Sequence, residues 1–333
     1  MRYSPAPSAG LARQSSLAPW SAAVILAVVA CVLPFVVDDY KIFQFTLVLV
    51  YAIALLGLNL ITGYCGQISL GHGAFYAIGA YTCALLMGAG MPYWLTLPFC
   101  AVVCLGCGLL VAIPALRLEG LYLALATYSL AVVFPQLLKF KAFEAWTGGS
   151  HGVVLTKPQA PAGFPLSDDQ WLYLFVLAVA VPMAWIARNL LKGHIGRTWI
   201  AIREHPTAAA TMGIDTAHYK SLCLGISAAY TGIAGALGAI AVQFVAPDSF
   251  GVFLSLSFLV GIVVGGMASI AGALVGAVFI QFIPEVTDTL LQSAPWAVYG
   301  VVLVFFLHVM PGGVVGAVHR FASFIDQRRH RDQ

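Results

Sequence analysis

Apolar runs set off by Gly, Pro and charge recur along all 333 residues, and in order they predict roughly ten membrane-spanning helices. The first is Trp20 to Val37, closed by Asp38-Asp39-Tyr40-Lys41, and the second is Ile42 to Thr62. A Gly-rich stretch, Gly63 to Phe75, leads into a third that ends near Gly90. The fourth runs from Tyr93 to Pro114 and the fifth from Gly120 to Leu138. A polar segment, 139–170, precedes the sixth span, Trp171 to Leu190. A second polar segment, 191–220, precedes the seventh, Ser221 to Val245. Two short Gly-rich pieces follow, Phe253 to Met267 and Ile270 to Pro284, and then a last span, Pro295 to Met310.

Composition makes a soluble reading untenable. Apolar residues are 61% of the chain and charged residues only 9%, against roughly a quarter charged in an average soluble domain. The outer face must lie in lipid, where a hydrocarbon core about 30 Å thick takes about 20 helical residues per crossing. The expected fold class is therefore an all-α integral membrane protein with short helices on its cytoplasmic side. Arg2 and Arg13 ahead of an apolar run, with Val28-Val29-Ala30-Cys31, imitate a signal peptide. The run continues to Val37, which reads as a retained first helix.

Charge sets the orientation. With both termini in the cytoplasm, twelve of the sixteen Lys and Arg fall inside, and Lys41, Lys139, Lys141 and Lys157 fall outside. Segment 139–170 is then periplasmic and 191–220 cytoplasmic, between a tail at 1–19, a single membrane domain at 20–312 and a basic tail at 313–333. Spans two to five and seven to ten would run in opposite senses, the pattern of an inverted repeat. Without a basic run interleaved with aromatics, nucleic acid is not an expected partner; membrane lipid is.

Several absences narrow the function. The thirteen acidic residues fall in loops or near span ends, whereas ion-coupled transport normally uses ionisable groups within the bilayer. No G-x-x-x-x-G-K-[ST] loop is present, so uphill transport would need an ATPase on another chain. Cys100, Cys104 and Cys107 share a helical face, but no His or carboxylate joins them; they read as small apolar residues, with no metal expected. A membrane enzyme would need a nucleophile–base pair, and the scattered histidines offer none.

Three features remain. Gly261 with Gly265, Gly272 with Gly276, and Gly232 with its neighbours Gly235 and Gly238 form small-residue faces that let helices approach closely in lipid. The stretch Gly63 to Phe75 sets Gln67, Ser69 and His72 among four glycines. It fits either a broken helix near a translocation path or a cytoplasmic turn. The loop Gly193 to Lys220 predicts a short helix with Ile195, Trp199 and Ile202 on one side, and a second started by Pro206 and ended by a left-handed Gly213. Asp215 would cap the seventh span. Such a loop suits either docking of a cytoplasmic partner or rest on lipid headgroups.

These segments carry a resemblance. GLNLITGYCGQISLGHGAFYAIGAY resembles the N-terminal signature of bacterial branched-chain amino acid ABC transporter permeases, the LivM-like group. GRTWIAIREHPTAAATMGIDTAHYKSLCLGISAAYTGIAGALGA is similar to that family's inner loop and following helix, and GGMASIAGALVGA to its later Gly-rich signature. The resemblance implies a permease subunit of an ATP-driven importer for leucine, isoleucine and valine, or for urea, short amides or another amino acid. It implies a heterodimer with a second permease, two cytoplasmic ATPases that use ATP and Mg, and a periplasmic solute-binding protein, with no cofactor on this chain. It maps an ATPase-coupling loop onto Arg203, Glu204, Ala208, Ala209 and Gly213. His205-Pro206-Thr207 stand where relatives often carry acids. The pore residues expected here are Gln67, Ser69, Gly71, His72 and Gly73.

Overall fold

A computed structural model describes residues 30–115, 120–160, 166–290, 300 and 313–317. The last expected span, most of the first and nearly all of both tails lie outside the described residues. Of the first span, 30–32 are helical and lead through a 3-10 turn, Leu33–Phe35.

Eleven α-helices follow among the described residues: α1 (Asp39–Asn59), α2 (His72–Gly88), α3 (Tyr93–Ala115), α4 (Leu121–Leu138), α5 (Lys141–Thr147), α6 (Asp168–Lys192), α7 (His194–Glu204), α8 (Pro206–Thr211), α9 (Thr216–Val242), α10 (Val252–Gly265) and α11 (Ile270–Leu290). Five apolar segments are long enough to cross a membrane, and Tyr122–Leu138 and Ile270–Glu285 are shorter apolar helices. The chain is thus an all-helical membrane protein, and the described part accounts for fewer than ten spans.

Local signals explain many of the boundaries. Ser167 and Gln170 form a reciprocal capping box that starts α6 three residues before the expected Trp171. Asp215 accepts from the His218 N–H at 3.1 Å and caps α9. Pro206 opens α8, and Gly213 stands at φ +83° just beyond it. Helix α11 runs past Pro284 to Leu290, so Glu285 lies on a helix and not beyond it; it accepts from the buried Gln44 amide of α1 at 2.7 Å.

The core is built on α1 and α9. Helix α9 packs against α1, α2 and α3; α11 packs on α10 and α1, and α6 on α1. The spans containing α1 and α9 are each 83% buried, against 33% for α3 and 22% for α6. The outward faces of α3 and α6, with Val102, Leu110, Val181 and Trp185, are exposed and apolar, as a surface that meets lipid requires.

Small residues make this packing possible, because apolar burial gives little drive between helices already in hydrocarbon. A Cβ on Gly232 would overlap the Cys104 side chain, and one on Gly235 would stand 2.8 Å from the Tyr76 carbonyl carbon. Across the α2–α3 seam, the Cys104 and Cys100 thiols donate to the carbonyls of Phe75 and Gly79 at 3.6 and 3.5 Å. These cysteines are packing groups with weak hydrogen bonds. Opposite the loop at 193–220, strand β1 (Val153–Val154) pairs antiparallel with β2 (Phe244–Val245) and ties segment 139–160 to the end of α9.

Candidate functional site

The two readings of Gly63 to Phe75 are separated by depth. Helix α1 ends in one π-helical turn, Leu60–Tyr64, which touches α7 of the loop at 193–220. The chain then runs without regular structure through 65–71 and starts α2 at His72. His72 does not stay at the loop side. It bonds Ser227, the twelfth of the 27 residues of α9, which at 1.5 Å per residue lies roughly 16 Å into the helix. The segment is re-entrant: it leaves α1 near the loop side and climbs back alongside the middle of α9.

Irregular backbone at that depth requires partners for its polar groups. The Cys65 and Gln67 N–H groups donate back to the Leu60 and Ile61 carbonyls. The Leu70 N–H donates to Thr127 of α4 at 3.0 Å, and the Gly73 N–H to Ser255 of α10 at 2.9 Å. Gly71 is needed because a Cβ there would come 3.0 Å from the Thr127 carbonyl oxygen. The segment is thereby sewn to α4, α9 and α10.

The geometry also fixes the protons on His72. The single Ser227 hydroxyl hydrogen goes to the Gly57 carbonyl at 2.6 Å. Ser227 must then accept from His72, so Nε2 carries the hydrogen at 2.6 Å. Nδ1 is left as an acceptor, and the Ser69 hydroxyl donates to it at 3.0 Å while accepting the Gly71 N–H at 3.4 Å. The imidazole is neutral and saturated in this arrangement.

A second break lies near the first. Helix α10 ends at Gly265, and 266–269 turn into α11 with Ala268 left-handed at φ +59°. Asn59, on the last turn of α1, accepts the Ala268 N–H at 2.9 Å and donates to the Ser269 carbonyl at 2.8 Å. Gly63 is the only residue type that fits beside this pair, since a Cβ would stand 2.6 Å from the Ala268 nitrogen. The expected glycine faces meet on the same side of the core: Gly265 lies against Gly272 and Gly276, and Gly261 against Gly276 and Ile280.

The loop at 193–220 is a fastened knob. Trp199 is fully buried and donates to the Tyr219 carbonyl at 3.0 Å, and Ile202 is buried beside it. From Arg203 to Gly213 the only buried residue is Ala209, and Met212 is 85% exposed at the tip. Glu204, Ala208 and Gly213 are exposed.

Of the expected path residues, Ser69, Gly71, His72 and Gly73 are buried among protein groups and Gln67 is half-buried. Asn59, Thr127, Ser227 and Ser255 were not singled out from the sequence. The available signal was an amide or hydroxyl within an apolar helix, where its partner must be another protein group. Helix α4 adds a surface of its own: Tyr122, Ser129 and Gln136, seven residues apart, are all exposed and share one face. Among the described residues no three His, Cys, Asp or Glu side chains stand close enough to hold a metal ion.

Comparison with known proteins adds the family. Residues 42–310 match the family described as "Branched-chain amino acid transport system / permease component". The chain is 34% identical over 280 residues to the high-affinity branched-chain amino acid transport system permease protein LivM of Salmonella typhimurium (strain LT2), covering 77% of this chain and 65% of that one. It is 34% identical over 282 residues to LivM of Escherichia coli (strain K12), covering 77% and 66%. The chain thus spans slightly under two thirds of the length of these relatives. The autoinducer 2 import system permease protein LsrC of Escherichia coli O9:H4 (strain HS) is 27% identical over 292 residues, covering 82% of this chain and 81% of its own. No solved structure matches the chain.

Proposed function

Because the chain belongs to the family of branched-chain amino acid transport permease components, we propose that it is a permease subunit of an ATP-driven importer for leucine, isoleucine and valine. The observation that carries the reading is the fastened knob at 203–213, exposed at its tip and joined at its base to a broken, re-entrant helix. In this reading the chain pairs with a second permease, two ATPases dock on the knob, and a periplasmic protein delivers the solute. ATP and Mg are used on the ATPases and this chain catalyses no reaction. Both termini lie in the cytoplasm, as the Lys and Arg asymmetry favours.

The translocation path would run along the face of α4 that carries Tyr122, Ser129 and Gln136, past the half-exposed Gln67 and the exposed Ile68. The support is chemical: among exposed apolar neighbours such as Leu125, Val133 and Leu137, the exposed Gln136 amide and the Tyr122 and Ser129 hydroxyls suit a watery cavity better than lipid. Ser69 and His72 are saturated internally and would shape the path from behind. Closure of the ATPases would move α7 and α8, and the core helices would tilt to alternate access.

Branched-chain amino acids are preferred over the solute named for LsrC because identity is 34% to the LivM proteins and 27% to LsrC. The test is uptake of labelled leucine, urea and short amides by proteoliposomes holding the assembled complex and its binding protein. Leucine uptake that requires internal ATP supports the reading. Uptake driven by an ion gradient without ATP would refute it.

A further inference from the structure

Arg203 is exposed like most of the knob, yet its guanidinium turns inward. From the last turn of α7 its guanidinium Nη1 donates to the Gly63 carbonyl in the π-helical turn of α1. Its Cγ lies 2.8 Å from where a Cβ on Gly66 would stand, and Gly66 is held at φ +76°. A cation on the final carbonyls of a helix is favoured by charge and by hydrogen bonding. From Gly63 the connection continues one residue type further. Asn59 holds the Ala268 N–H and the Ser269 carbonyl of the α10–α11 turn. One side chain from the docking loop therefore reaches a junction where both broken helices are fastened. Within the same turn the Thr62 hydroxyl is buried with no hydrogen-bond partner.

We propose that Arg203 is a positioning residue that passes the displacement of α7 and α8 to both broken helices at once, through the junction of Gly63, Asn59 and Ala268, and that it is not a contact with the ATPase. The inference rests on the importer reading. Trp199 holds the helix to the start of α9 and its first turn packs on the end of α6; Arg203 is the side chain that reaches toward the α10–α11 turn, by way of Gly63 and Asn59.

The test uses the assembled complex purified from its native membrane, with nitroxide labels on cysteines placed at Met267 and Val102, or at Met212 and Val102, in a Cys31→Ser background. All three sites are exposed in the isolated chain. Spin–spin distances are compared before and after trapping the ATPases with ADP and vanadate. In the otherwise unaltered chain both distances should shift. In Arg203→Met the Met212 shift should persist and the Met267 shift should be lost, with the ATPase content of the complex unchanged; Arg203→Lys should retain part of the Met267 shift. An unchanged Met267 shift in Arg203→Met, no Met267 shift in the unaltered chain, or loss of the ATPases from the Arg203→Met complex would each overturn the inference. Isolation of the unaltered chain without any ATPase is a different result, which would overturn the importer reading and this inference with it.

Discussion

The Nε2 of His72 and the hydroxyl of Ser227 stand 2.6 Å apart, joining the start of a re-entrant helix to a residue 155 positions away in the most buried part of the core. That bond is one link of a chain from Ser69 through His72 and Ser227 to the Gly57 carbonyl, with one hydrogen per link. It holds the N-terminus of α2 against the middle of α9 and the last turns of α1.

Removing the imidazole leaves the Ser69 hydroxyl hydrogen without an acceptor, at a cost of about 1–3 kcal/mol, and empties the space of a buried ring. His72→Ala is therefore expected to lower the stability of the detergent-solubilised complex by roughly 3 kcal/mol, read as a fall in thermal midpoint. Ser227→Ala should lower it by less, because it removes one hydroxyl and no ring, and the Gly57 carbonyl keeps the Leu60 N–H. Equal midpoints for His72→Ala and the unaltered chain would contradict the saturated arrangement.

Glycines at two positions should answer alanine in opposite ways. At Gly63 a methyl group meets the Ala268 nitrogen at 2.6 Å and displaces Asn59. Gly63→Ala should destabilise by about 1–3 kcal/mol from overpacking alone, and transport should fall with it. Gly106, inside α3, has nothing within 4 Å of an added Cβ. Gly106→Ala should be neutral or stabilising by up to about 1 kcal/mol. Thermal unfolding and uptake of the two variants side by side check both expectations.

The capping residues, the two short helices of the docking loop and the cores of the long spans were legible in the sequence because they rest on neighbours. Pro206, Gly213 and Asp215 act within one turn of themselves, and apolar runs need no partner to be recognised. The depth of the Gly63–Phe75 segment was not legible. It depends on Ser227, Thr127 and Ser255, which are 57 to 182 positions away from the groups they bind. The extent of α11 was misjudged for a local reason: Pro284 read as a stop, yet the helix continues through it to Leu290. Asn59 escaped notice because one amide in an apolar run has no spacing to betray it. The resemblance maps Arg203 onto the coupling loop, and its reach to the Gly63 carbonyl, 140 positions away, leaves no mark in the local sequence.

Helix α4 should be wet in the assembled complex. With Cys31 and the half-exposed Cys107 replaced and the other five cysteines buried, a cysteine introduced at Ser129 or Gln136 should react with a membrane-impermeant, hydrophilic thiol reagent at least tenfold faster than one at Val102 or Leu110 on the outer face of α3. That factor corresponds to about 1.4 kcal/mol of differential access. Equal, slow labelling at all four would place the α4 stripe in lipid and move the path elsewhere.

Met212 tests the docking surface without touching the core. It is 85% exposed at the tip of the knob, so Met212→Asp should leave the thermal midpoint of the isolated chain within about 0.5 kcal/mol of the original. A charge set against an apolar partner pocket should nonetheless lower ATPase retention during purification. Full retention would place the ATPase contact elsewhere on the loop.

The most direct measurement is the composition of the complex isolated from its native membrane through a tag on this chain. The importer account predicts a second, different permease and two copies of an ATPase. Recovery of the chain alone, or with copies only of itself, would contradict the account and leave an ion-coupled transporter as the better reading.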